Sequence, residues 1–241
     1  MVGITNSMIT RVRPVFGWLR DNGEGAWPEQ VVKLANITGL TNCGRFVGMD
    51  LDPEREVPPT RERLIWMLRN VERLAPVDGR RWEDLKARTA NRDQVLAAHD
   101  GGTPLPREFV LEGPTHCDCL IECEHAFIWI EGKRNDWLSP STTWDVSRDQ
   151  LARNLEAAWT TARHSGKDCC LIICHEHPLK HHEAALIKGY RDQTWSAGWP
   201  HLSQEVRRQF ASRIGSLTWI EIATAWPRLR GLSELADLSV V

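Results

Sequence analysis

One stretch constrains the fold more than any other: Thr115 to Lys133, THCDCLIECEHAFIWIEGK. Two apolar runs, each long enough for a strand, flank Glu124-His125, a connection of hairpin length. Charge enters this apolar frame near its ends. Asp118 stands near the start of the first run, and Glu131 and Lys133 close the second around Gly132. Alternation along a strand puts Phe127, Trp129, Glu131 and Lys133 on one face and Ala126, Ile128 and Ile130 on the other. Asp118 lies about six residues before the turn and Glu131 about six after it, so antiparallel pairing sets them roughly opposite each other.

Two carboxylates and a lysine at a sheet end need an explanation, because buried charge is costly unless it is paired or coordinates a metal. Carboxylate oxygens suit a hard cation, Mg²⁺ or Mn²⁺ in its place. The pattern predicts a metal held by Asp118 and Glu131, with the Gly132 carbonyl as a further ligand. Such a metal lowers the pKa of a bound water and polarises a phosphate oxygen. Lys133 would orient that water or stabilise charge developing on the phosphate. The set serves in-line displacement at phosphorus, with Asp118, Glu131 and Lys133 as the catalytic residues. A bare Asp…Glu-x-Lys pattern recurs by chance, and a surface salt bridge at a strand end would explain it. Context is more restrictive: the motif closes an apolar strand in a hairpin, with a helix and a buried strand after it.

Periodicity supplies those later elements. WDVSRDQLARNLEAAWTTARHSG carries Leu151, Leu155, Ala158 and Ala162 at helical spacing, with Gly166 at its end. DCCLIICHE is apolar throughout, as expected for a central strand covered on both faces. REFVLEG reads as a short strand ahead of the hairpin. Residues 180–190 and 203–214 read as helices, LTWIEI as a strand, and Leu229 to Leu238 as a last helix. Before residue 100 the pattern is helical. One helix opens at Pro28, one runs from Arg61 to Leu74 behind Thr60 as N-cap, and one or two short helices cover 80–98. GWLRDNGEGAWPE reads as a loop, and residues 40–59 as irregular. Asp50 and Asp52 lack the repeated ligands and central glycine of a calcium loop. The expected fold is α/β, a central mixed sheet flanked by helices. A helical N-terminal layer, residues 1–100, packs on a core of residues 101–241. The turn-rich AHDGGTPLP marks the join without separating independent domains.

A formal charge of −2 on 241 residues gives no global basic field, so any nucleic-acid contact must be local. The seven cysteines fall mostly inside apolar runs. The N-terminus lacks an apolar signal segment, and no run of about 18 apolar residues exists to span a membrane. Free buried thiols in a reducing cytoplasm, with no membrane partner, are expected. Each tryptophan is read as core filler ahead of a stacking platform.

Asp118 followed by Glu131-Gly132-Lys133, on a strand–strand–helix–strand frame, resembles the PD-(D/E)xK nuclease superfamily. Restriction endonucleases and recombination and repair nucleases belong to it. The resemblance covers about residues 107–175. It implies a restriction-endonuclease-like core, Mg²⁺ at Asp118 and Glu131, Lys133 as the catalytic lysine, and DNA as substrate, with RNA left open. Double-strand cutting by a one-site chain would require a homodimer. Cys117 stands where a proline often precedes the aspartate. Many relatives carry an acidic residue on the preceding helix, for which Glu29 and Glu83 are the candidates. In the exonuclease-like branch a glutamine on the following helix lies near the site, which points to Gln150, although Asn154 stands where an aromatic residue is expected. Gln150, Arg153 and Asn154 share a helix face. Gln150, Arg153 and Arg134 are the candidate nucleic-acid contacts, with Arg148 adding positive charge near the phosphates.

Two rival readings accompany this one. The first is a catalytically inactive nucleic-acid-binding module of the same fold. The second is a zinc protein built on His175, His177, His181 and His182 with Cys170 or Cys174, for which paired CxxC or HExxH spacing is missing. His175 and His177 follow the fourth strand and would fall near the sheet end that carries the site.

Overall fold

A computed structural model describes residues 7–51, 56–134, 137–176, 180–192, 198–232 and 235, with the main chain alone for 180–183. Its strands are β1 (Phe46–Asp50), β2 (Glu56–Val57), β3 (Thr115–His116), β4 (Cys119–Cys123), β5 (Ala126–Gly132), β6 (Asp168–His175) and β7 (Ile214–Thr218). Five of them make a mixed sheet in the order β1-β4-β5-β6-β7, and β2 pairs with β3 apart from it. The β1–β4 and β4–β5 pairings are antiparallel, while β5–β6 and β6–β7 are parallel. The hairpin keeps the register that turn counting gives, from Glu122 opposite Phe127 to Cys119 opposite Ile130. Its turn is tied down because Glu124 and His125 donate their backbone N–H groups to the carbonyls of Arg45 and Cys43.

Both faces of the sheet are covered, which explains why β5 and β6 are apolar almost throughout. On one face Ile121, Ile128, Ile130 and Ile172 pack with Val12, Phe16 and Leu19 of the N-terminal helical stretch. That stretch is a π-helical turn, Met8–Val12, running into α1 (Arg13–Asn22). Helix α2 (Trp27–Leu34) adds Val31 and Val32 to the same cluster. On the other face Leu120, Trp129, Leu171 and Ile173 meet Leu151, Leu155 and Ala158. These three come from α6 (Gln150–His164), the crossover between β5 and β6. Fully burying each such Ile or Leu is worth about 1.5–3 kcal/mol, so this double-sided packing dominates the stability.

Helices α3 (Arg61–Arg69), α4 (Gly79–Arg88) and α5 (Arg92–Asp100) gather a separate cluster around Met67, Leu68, Leu85 and Leu96. Thr60 caps α3 as expected, its side chain accepting from the Arg63 N–H. Among the described residues, β6 is followed by α7 (Lys180–Arg191), α8 (Gln204–Ala211) and α9 (Trp219–Ala225). None among the described residues is long and apolar enough to cross a membrane.

Several expectations need correction. Residues 46–50, read as irregular, form the edge strand β1, so the main sheet already draws on the segment taken for a helical layer. Its residues are half-exposed or exposed, which hid the strand signal. Asp52 lies outside the described residues. REFVLEG is not a strand: Arg107–Phe109 is a single 3₁₀ turn. HCDCLIEC is broken, with β3 turning away to pair with β2 before Cys117 and Asp118. Gly17 to Asn22, read as loop, continues α1. LTWIEI straddles a boundary, because Thr218 ends β7 and caps α9, exchanging hydrogen bonds with Glu221. The last helix is a 3₁₀ segment at Pro227–Gly231; of the remainder, 233–234 and 236–238 lie outside the described residues.

Candidate active site

The register that seats β5 between β4 and β6 also gathers the charged groups. Glu131 is 4% exposed and Lys133 6% exposed, and Asp118 is half-buried. The break in the strand before β4 lets the Asp118 side chain act as a ladder partner: its Oδ2 accepts the Gly132 N–H at 2.8 Å. Lys133 Nζ lies 3.0 Å from Glu131 Oε1. The Lys133 backbone is fixed at both groups, donating to the Cys174 carbonyl at 2.7 Å and accepting from Trp219 Nε1 at 2.9 Å.

Helix α6 completes the environment of Glu131. It starts at Gln150 because Asp149 caps it, accepting the Ala152 N–H at 2.9 Å and the Tyr190 hydroxyl at 2.8 Å. Its first turn then points Gln150 and Asn154, four residues apart, at the strand. Gln150 Nε2 donates to Glu131 Oε1 and Asn154 Nδ2 to Oε2, each at 2.6 Å. Both carboxylate oxygens are thereby held by donors. Burial, and next the neighbouring Asp118 charge, push the Glu131 carboxyl up to about 7, against the opposing pull of Lys133 and the Asn154 hydrogen bond. A carboxylate pair that raises one member this far is a place where added positive charge is stabilising.

Gly132 separates Glu131 from Lys133 for a steric reason. A Cβ there would stand 2.3 Å from Val12 Cγ2, inside the contact of the N-terminal helix with the sheet. N–H and C=O of one strand residue point to the same side, so the Gly132 carbonyl faces the Asp118 side of the strand. The Ser7 hydroxyl donates to it at 2.9 Å.

Other anticipated residues land differently. Gln150 reaches the site, but its amide is committed: Nε2 to Glu131, and Oε1 to the Ser139 N–H at 3.1 Å. Arg153 is half-buried and spends Nη2 on the Pro114 carbonyl. Arg134 stands 3.9 Å from the Glu176 carboxylate. Arg148 is a correction: it is 1% exposed and bound to Glu112 through two hydrogen bonds, so it offers nothing to an arriving phosphate. Neither acidic candidate reaches the site. Glu29 lies near Cys43, at the turn end of the hairpin, and exposed Glu83 pairs with Lys86 on α4. The N-terminal stretch that does touch the site strand at Gly132 carries a cation instead, buried Arg11, whose Nε holds Glu176 Oε1 at 2.8 Å.

Sequence reasoning missed three things. Asn154 was noted as a departure and not as a donor. The Arg11–Glu176 pair joins residues 165 positions apart, which no local pattern signals. A buried ionic network, Arg63–Glu112–Arg148–Glu156–His201 with Asp145, ties the α3 layer to α6.

His175 does lie at the site end of the sheet, since β6 runs parallel to β5 with Cys174 beside Gly132. His177 and the side chains of His181 and His182 are outside the described residues. All seven cysteines are buried and unbridged, and burial drives their thiols upward, Cys170 and Cys174 well above the ordinary range. Among the described residues no group of three or more His, Cys, Asp or Glu side chains is placed to hold a metal ion. The described residues alone therefore supply zinc no four-ligand cage. Asp118 and Glu131 form a two-carboxylate set, the way Mg²⁺ is commonly held while keeping several waters. Comparison with protein-family models, curated proteins and solved structures finds no match.

Proposed function

We propose that this chain is a Mg²⁺-dependent nuclease of the PD-(D/E)xK type, hydrolysing phosphodiester bonds of DNA. One observation carries the reading: Asp118, Glu131 and Lys133 meet at the end of one buried hairpin, where Glu131 sits in an environment that disfavours its negative charge. The sheet supports it, because an antiparallel hairpin followed by a helical crossover into a parallel strand is the frame expected of a restriction-endonuclease-like core.

Asp118 and Glu131 would hold the metal with the Gly132 carbonyl, and the bound ion would supply Lewis acidity and an acidified water. The chain's own residues do the rest. Gln150 and Asn154 fix the Glu131 carboxylate in one orientation, so that it need not reorganise when substrate arrives. Lys133, anchored through its backbone to β6 and Trp219, keeps its ammonium within reach of Glu131 and of the position where a phosphate oxygen would lie.

The decisive experiment incubates plasmid, linear duplex and single-stranded DNA with the protein and Mg²⁺ or Mn²⁺. Cleavage should require the metal and fall at least about 100-fold in Lys133→Ala, as expected on removing a charge-stabilising group. In parallel, Mn²⁺ should raise the melting temperature of wild type and not of Asp118→Asn. Absence of cleavage on every substrate, or undiminished cleavage by Lys133→Ala, would sink the assignment.

A further inference from the structure

Of the tryptophans among the described residues, Trp137 alone is exposed, at 53%. It lies four residues beyond Lys133, and the two residues that follow it are tied to the elements that build the site. Leu138 is 3% exposed and packed into the cluster under α6. Ser139 is bound twice to Gln150: its N–H reaches Gln150 Oε1 at 3.1 Å, and its carbonyl accepts the Gln150 N–H at 2.9 Å. Gln150 is the residue that holds Glu131. A large aromatic surface is therefore left in solvent by a segment pinned to the catalytic carboxylate through one side chain.

The charges nearby make this ring important. Lys133 is engaged with Glu131, and Arg11 and Arg134 both lie against Glu176. A duplex is gripped mainly through phosphate contacts, each of which calls for a cation. Single strands are held in large part by bases stacking on aromatic side chains, which needs no added charge. The recess matters too: with Glu131 and Lys133 both under 10% exposed, a flexible strand can bend inward where a stiff duplex cannot.

We propose that Trp137 stacks on an unpaired base next to the scissile phosphate, and that the site takes single-stranded nucleic acid. The position of that phosphate rests on the nuclease reading above; the stacking itself does not require cleavage.

The test measures binding without chemistry. Fluorescein-labelled oligothymidylate and a duplex of equal length are titrated with protein in EDTA, with anisotropy as the readout. Trp137→Ala should weaken oligothymidylate binding about 5- to 100-fold, the range for losing one base–aromatic stack. Trp137→Phe should stay within about threefold of wild type, and the duplex should change less than about twofold for either variant. Melting curves of both variants, recorded beside wild type, separate lost binding from lost fold. Equal losses on both nucleic acids, no loss on oligothymidylate, or no oligothymidylate binding by wild type would each overturn the proposal. If the nuclease reading alone is wrong, binding still depends on Trp137 while Mn²⁺ brings no cleavage.

Discussion

Asn154 Nδ2 donates to Glu131 Oε2 at 2.6 Å, a hydrogen bond made inside the protein, with Asn154 only 1% exposed. Replacing Asn154 by Leu keeps roughly the volume and removes the donor, leaving a buried acceptor with less compensation. The expected cost is about 1–3 kcal/mol in urea unfolding, together with weaker Mn²⁺ binding. Asn154→Asp should cost still more stability in EDTA, because it sets another carboxylate against Glu131. A neutral Asn154→Leu in both measurements would show that Glu131 needs no donor on Oε2.

Stability should respond to pH through Glu131. Its carboxyl titrates at about 7 in the folded protein, against 4.5 ordinarily, because burial and Asp118 disfavour the charge. Between those values the native state binds more protons than the unfolded one, so stability falls as pH rises toward 7 and levels off above. Melting in EDTA from pH 4.5 to 8 should show that decline, and Glu131→Gln should flatten it. Mn²⁺ affinity should move the other way and strengthen as pH rises through about 7, since metal and proton compete for one carboxylate. A melting profile for Glu131→Gln parallel to that of wild type would contradict the assignment.

Gly132→Ala should damage fold and site together. Its methyl would lie 2.3 Å from Val12 Cγ2 and 3.5 Å from Asp118 Oδ2. Overpacking of this kind typically costs about 1–3 kcal/mol. Val12→Ala opens the space, so a double-mutant cycle should give a favourable coupling above about 0.5 kcal/mol. Strict additivity would mean that the methyl is accommodated by a shift elsewhere.

Arg148 is expected to be the most sensitive charged residue outside the site. It pairs with Glu112 and Glu156 in the interior, and Arg148, joined by His201, holds Glu156 down to about 2 despite its burial. Arg148→Leu takes a shared cation from two buried carboxylates, leaving Glu112 to Arg63 and Glu156 to His201, and breaking one side of such a pair costs about 3–5 kcal/mol. Chemical denaturation at pH 7 checks the size. Lowering the pH toward 4 should narrow the gap between variant and wild type, because these carboxylates can then take up protons.

Where burial and alternation agree, the fold was legible. The β4–β5 hairpin, the buried strand β6 and the apolar stripe of α6 follow from side-chain pattern, and turn counting brings Asp118 across from Glu131. The edge strand β1 escaped because its half-exposed residues carry no alternation, and its pairing with β4 is irregular between Phe46 and Gly48. REFVLEG misled for the opposite reason: Phe109 and Leu111 are buried in the α3–α5 cluster, so an apolar spacing of two came from a turn and not a strand. At the site, spacing indicated Asp118, Glu131 and Lys133, and the nuclease resemblance pointed to the approach of Gln150. Spacing did not indicate Arg11 or Glu176, whose meeting depends on how the N-terminal helix docks, nor that Arg148, just ahead of α6, turns inward to Glu112 and Glu156.

The helix that sets Gln150 and Asn154 over Glu131 is the same one whose Leu151, Leu155 and Ala158 fill the core beneath it. Chemistry and packing therefore share one lever. A methylene added or lost under α6, far from any substrate, would tilt both carboxamides against a carboxylate that tolerates little displacement. Repacking these three positions would therefore shift the surroundings of Glu131 without touching a residue that contacts it.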